Sequence, residues 1–226
     1  MADIYRTAHF ETGTYVKNKT FLTDEEYSRG LDTFVKGCAD TLLTKASTGE
    51  VLIGERKVQP QPDWWFIGGR MKAGLTPVEA AANNVRRETT LDIPHSRYHT
   101  VCHQSYVFQY RKQEPAGNGT ADIACVFTVA LTDEEAAQLK MCNEEYAGVK
   151  WIDPREVVNG NYHPALKRAC SHLVSRPQLE ALRGAATRAE ATDAEVAALA
   201  RAYFAEAHVV EPAHYTVQDT TTHSSH

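Results

Sequence analysis

The chain has 226 residues, 42% of them hydrophobic and 23% charged, which is enough to bury one ordinary core and carry appendages. Its net charge is -5 and its lysines and arginines are spread evenly, so there is no basic stripe for nucleic acid. No apolar run reaches 18 residues and the start, "MADIYRTAHFETG", lacks a basic-then-apolar leader, so no membrane partner and a cytoplasmic location are expected.

In chain order, residues 1–32 are polar and read as an N-terminal extension. It closes on "TDEEYSRGLDTFVKG", a helix that starts at Thr23 with acids behind it. Strands follow: "CADTLLT", "EVLIGE", "WWFIG", the longer "HTVCHQSYVFQY" and "DIACVFTVAL", and finally "VKWID". The polar turn "EPAGNGT" between the two long strands predicts a hairpin. One helix interrupts the strands, with Thr76 as N-cap, Pro77 at the first helical position and Glu79 closing a capping box. Glu79 is therefore expected to cap its own helix.

Beyond Asp153 the composition becomes helical and Ala-rich. Segments "PREVV", "PALKRACSHLVSR", "RPQLEALRGAATRAE" and "TDAEVAALARAYFAEA" are expected to form helices, the last opened by Thr192 with Glu195. The divisions expected are 1–32 as extension, 33–163 as the main α+β domain, 164–208 as a helical addition and 209–226 as a disordered tail. Five cysteines are scattered without a C-x-x-C pair, which argues against a disulfide frame or zinc site. His95, His99 and His103 fall in a stretch with strand character and match no metal-binding spacing.

At 100° steps along the helix from Pro77, Val78, Ala81, Ala82, Val85 and Thr89 make the core face, and Asn84, Arg87 and Glu88 share an adjoining face. Gly68 and Gly69 just ahead let backbone approach a ligand. A tight glycine turn, a loop and a helix with polar groups on one flank suit a diphosphate.

The segment from Gly69 to Leu91 resembles a Nudix box, the loop-helix-loop of hydrolases acting on nucleoside diphosphates linked to another moiety, with pattern G-x5-E-x7-R-E-U-x-E-E-x-G-U. Leu75 stands at the first acid, Asn83 and Asn84 at Arg-Glu, Arg87 and Glu88 at Glu-Glu, and Thr90 at the last Gly; Gly69, Val85, Glu88 and Leu91 fit. The resemblance implies an α+β Nudix fold, a mixed β-sheet in an α/β/α sandwich carrying the loop-helix-loop, here with extra C-terminal helices. Asn84, Arg87 and Glu88 sum to zero charge, so a multi-metal site is not expected. One Mg2+, or Mn2+ in its place, would use Glu88, Glu145 and the Gly68 carbonyl.

The stretch "GERKVQPQPDWWFIGGRM" is similar to that of GDP-mannose mannosyl hydrolases, which cleave the sugar C–O bond with one helix acid. That similarity implies Arg56, Arg70 and Asp40 as catalytic groups that stabilise the leaving diphosphate. Arg87 would add charge at the substrate, and Trp64 and Trp65 are candidates for stacking on the base. The branch's base is a His where this chain has Tyr146, with Glu144 the nearest replacement. The expected ligand is a nucleotide sugar, and homodimers are common among such proteins. Two alternatives stand beside this one: a nucleotide- or protein-binding module without turnover, and a pyrophosphatase acting on ADP-ribose-like compounds.

Overall fold

The computed structural model describes residues 7–17, 20–141 and 144–207, so the expected tail 209–226 and Cys142 lie outside the described residues. The described residues divide into two compact units, one up to Trp151 and one from Ile152 onward.

The first unit is built on a seven-stranded mixed sheet. Its strands are β1 (Lys36–Lys45), β2 (Val51–Arg56), β3 (Trp64–Trp65), β4 (Ile67–Arg70), β5 (His99–Phe108), β6 (Thr120–Leu131) and β7 (Tyr146–Ile152). The main path runs β3-β2-β1-β6-β5, with β4 paired to β1 and β7 to β2. β1 lies parallel to β6 and antiparallel to β2 and β4. Flanked on both edges and covered on both faces, it is buried without a break from Cys38 to Leu43, as a central strand must be. The register sets Asp40 opposite Gly68 on β4 and Val126 on β6. β5 and β6 form the expected antiparallel hairpin across the "EPAGNGT" turn. Of the three histidines, His95 belongs to a 3-10 turn, and the strand starts only at His99.

Helix α1 (Asp24–Thr33) opens at Thr23 with a Thr23–Glu26 capping box. Helix α2 (Pro77–Thr89) opens with both halves of the Thr76–Glu79 box, so Glu79 does cap its own helix. It ends at Thr90, the C-cap, whose φ of 63° lies in the left-handed region. A glycine there, as the Nudix pattern has, would avoid the roughly 1–2 kcal/mol that a side chain pays for that conformation. Ala81, Val85 and Leu91 pack with Ala39, Leu43, Ile67, Phe127 and Val129 in one core between α2 and the sheet. A fully buried ring such as Phe127 contributes about 2–3 kcal/mol by removal from water. Asn84 and Glu88, expected on a flank, are themselves buried, at 4% and 1% exposure.

The short helix α3 (Asp133–Gln138) follows β6. The second unit holds α4 (Pro154–Asn159), α5 (Pro164–Ala186) and α6 (Asp193–Glu206). The segments "PALKRACSHLVSR" and "RPQLEALRGAATRAE" form one helix, α5, which runs through Pro177 for 23 residues. Buried positions on both sides, Cys170 and Val174 before and Ala185 after, hold the helix course against the lost backbone bond. Among the described residues no helix is long and apolar enough to cross a membrane. The four described cysteines, Cys38, Cys102, Cys125 and Cys170, are free thiols.

Candidate functional site

Beside the end of β4 and the helix α2 opens a cavity of about 540 Å3. It gathers Asp40 from β1, Arg56 from β2, Trp65 from β3, Gly68 and Arg70 from β4, Arg87 from α2 and Glu145 and Tyr146 at β7. Six elements, spread between residues 40 and 146, therefore supply one wall. Trp64 and Glu144 are not among the lining residues. Trp64 lies on the alternate face of its strand, under the Lys150 ammonium at 4.0 Å, and Glu144 is exposed.

Each side chain has a local reason for its place. Asp40 is 4% exposed and packs over Gly68 so closely that a Cβ there would fall 2.5 Å from its Oδ1. Burial pushes its carboxyl up to about 7, assisted by the negative charges of Asp122 and Glu88 and opposed by Arg56 and Lys36. Arg56 donates from Nη2 to Glu145 Oε2 at 3.3 Å, while its buried Nε has no partner. Arg70 stacks over the Tyr27 ring of α1 at 4.6 Å. One edge of the Tyr146 ring packs on Gly54, where a Cβ would fall 2.5 Å from its Cδ1 and Cε1.

The centre of the site is Glu88. Its Oε1 accepts from Arg87 Nη2 at 2.5 Å and its Oε2 from the Tyr146 hydroxyl at 2.6 Å. The same Arg87 nitrogen stands 3.4 Å from the Gly68 carbonyl oxygen. Tyr146, partly buried and beside that carboxylate, has its hydroxyl pushed well above the ordinary phenol range by desolvation and by Glu88, so it stays protonated and acts as a donor. Asn84 is not turned to the cavity. Its amide donates to Ala39 O at 3.2 Å and Gly69 O at 3.0 Å, tying α2 to β1 and to the glycine turn.

Sequence reading missed a second wall. Tyr106 and Phe108 on β5 line the cavity and contact Trp65 edge to face, with centroids at 5.4 and 6.2 Å. Their two-residue spacing puts both on the buried face of β5, which the alternation of that strand could have signalled. The Tyr106 hydroxyl is buried without a hydrogen-bond partner. Lys36 and Asp122, an ion pair at 3.1 Å, also line the wall. The N-terminal helix closes one side through Arg111, which is 2% exposed and donates to Asp32 Oδ1 and Ser28 Oγ, each at 2.6 Å. Nothing local in the sequence announces these long-range bonds.

Residues 37–173, more than half of the chain, match the family model described as NUDIX domain. The chain belongs to the Nudix family. The solved structures it is similar to include a MutT/nudix family protein from Enterococcus faecalis, at 15% identity and TM-score 0.40, over 52% of this chain and 43% of that one. An Ap4A hydrolase binary complex from C. elegans is similar at 14% identity and TM-score 0.48, over 63% and 98%. The Nudix domain of Shewanella oneidensis NrtR complexed with ADP ribose is similar at 15% identity and TM-score 0.46, over 70% and 99%. No curated protein matches the chain. The family assignment rests on the sequence match, and the Nudix fold follows from it and from the mixed sheet with α2 on its face.

Nudix hydrolases generally use a divalent metal such as Mg2+. The donor set expected for it here does not fit one. Both oxygens of Glu88 are taken by hydrogen bonds, the Gly68 carbonyl faces a guanidinium, and Glu145 is paired with Arg56. Among the described residues no three His, Cys, Asp or Glu side chains are grouped to hold a metal ion.

Proposed function

We propose that this Nudix protein binds a nucleoside diphosphate sugar, GDP-mannose being the pattern, and hydrolyses the C–O bond between the sugar and the diphosphate. The observation that carries the reading is the convergence of Arg56, Arg70 and Arg87 on one cavity wall beside the buried carboxyl of Asp40, which burial pushes up to about 7. In that reaction the oxygen of water bonds to the anomeric carbon and gives a proton to the Asp40 carboxylate. The electron pair of the broken C–O bond leaves with the diphosphate. Its growing charge is stabilised by guanidinium groups that are always ionised and match phosphate oxygens in pairs. A carboxyl that titrates near 7 suits proton transfer at neutral pH. Tyr146 serves as a donor to Glu88 rather than as the base, and Glu144 lies away from the cavity lining. Attack on phosphorus, as in a pyrophosphatase for ADP-ribose-like compounds, would call on acids that are tied up here.

A second reading, a binding module without turnover, is favoured by the closed Glu88–Arg87–Tyr146 arrangement. Phosphorus NMR of products from GDP-mannose, GDP-glucose, UDP-glucose and ADP-ribose separates the readings. Release of nucleoside diphosphate is the expected result. Release of monophosphates refutes the glycosyl cleavage. Saturable binding by calorimetry with no product moves the protein to the second reading.

A further inference from the structure

We infer that Arg87 is a built-in replacement for the divalent ion, so that this site holds a diphosphate through fixed guanidinium charge and without metal. The inference takes its ligand from the proposed reading, but its geometry stands alone. The Arg87 Nη2 atom lies 2.5 Å from Glu88 Oε1 and 3.4 Å from the Gly68 carbonyl oxygen. Those are two of the three donors the sequence pattern assigns to a metal, and one nitrogen serves both.

The fit is prepared from both sides. Gly69 has a φ of 151°, and a Cβ on it would come 3.3 Å from that same nitrogen, so the absent side chain leaves room for the guanidinium. The Tyr146 hydroxyl takes the other Glu88 oxygen at 2.6 Å and completes the neutral cluster. Glu88 is 1% exposed in its side chain, whereas Arg87 is 54% exposed. The carboxylate is thus hidden and the guanidinium presents its outer edge to solvent and ligand.

That edge meets two cavities. Arg70 and Arg87 line both the larger cavity and a second of about 430 Å3, whose wall also carries Lys72 and Arg86 and includes no carboxylate. A phosphate chain at Arg87 therefore meets further cations on the far side. A guanidinium supplies one charge where Mg2+ supplies two, but it cannot dissociate and it cannot lose its proton.

The test begins with Mn2+ alone, followed by EPR of the free ion. Wild type is expected to leave the free signal undiminished. Arg87→Glu, which sets a second carboxylate beside Glu88, is expected to deplete it. Uptake of Mn2+ by wild type that is lost in Glu88→Gln overturns the inference. In the second arm GDP is titrated by calorimetry, once with EDTA and once with Mg2+. Equal affinity in both is expected, and Arg87→Gln is expected to weaken it about tenfold, the loss of one charge-assisted contact. GDP binding by wild type only with Mg2+ overturns the inference. GDP binding in neither condition sinks the nucleotide reading instead, and the Mn2+ arm then decides the role of Arg87 by itself. Circular dichroism checks folding, and if Arg87→Glu does not fold, wild type and Arg87→Gln carry the test.

Discussion

Replacing Glu88 by Gln tests whether this acid is held in the protein's own structure or free for a ligand. Its carboxylate is 1% exposed and receives two donors, at 2.5 and 2.6 Å. A hydrogen bond to a charged group contributes about 1.5–3 kcal/mol, and breaking a fully buried ion pair costs about 3–5 kcal/mol. Arg87 is 54% exposed, however, so solvent screens that half of the pair and its contribution falls to about 1 kcal/mol. The glutamine oxygen can still accept from Tyr146, but its amide then turns a donor toward the Arg87 donor, which adds roughly another 1 kcal/mol. The expected loss is about 2 kcal/mol, or about 4–8 °C in melting temperature for a domain of this size. Urea unfolding followed by tryptophan fluorescence measures it, since Trp65 is buried and lines the same cavity as Arg87 and Tyr146. A variant within about 0.5 kcal/mol of wild type, the range of ordinary surface changes, would refute the account of Glu88 as an internally satisfied group.

Two further changes read the cavity. Asp40 binds its proton near pH 7 in the folded chain and near 4 when unfolded, so between these values the native state holds the extra proton. Stability contributed by this group is therefore complete at low pH and is lost as pH rises toward and through 7, by up to about 4 kcal/mol. Asp40→Asn should flatten that slope in urea midpoints taken from about pH 5 to about pH 8, and parallel curves for the two proteins would count against the shift. Tyr106→Phe removes a buried hydroxyl that has no partner. It should leave stability unchanged or raise it by up to about 1 kcal/mol while weakening GDP binding in calorimetry, and a clear loss of stability would show that the hydroxyl is already satisfied.

Much of the site could be read from the chain because its parts are local. The Thr76, Pro77 and Glu79 signals lie within one turn, and capping acts within one turn, so the start of α2 was fixed by adjacent residues. Gly68 and Gly69 announced a close approach of backbone, and Arg87 and Glu88 follow at helical spacing. What failed was the direction of polar side chains. Asn84 was grouped with the ligand-facing flank, but it points inward to the carbonyls of Ala39 and Gly69. The sequence does not say which buried carbonyls need a donor, because they belong to strands far away in the chain. At Pro177 a local helix breaker is overruled by packing along α5.

By itself the sequence determined the periodicities: alternation in β5 and β6, the capped helix α2, and a Nudix box with most of its acids replaced. These are properties of neighbouring residues, and local sterics and hydrogen bonding are enough to set them. Only the tertiary structure decided what the remaining acid does. Tyr146 reaches Glu88 across 58 positions and Gly68 faces Arg87 across 19, contacts that exist only once β4, β7 and α2 have packed together. Charge in a folded site depends on distance and burial, and neither is written along the chain.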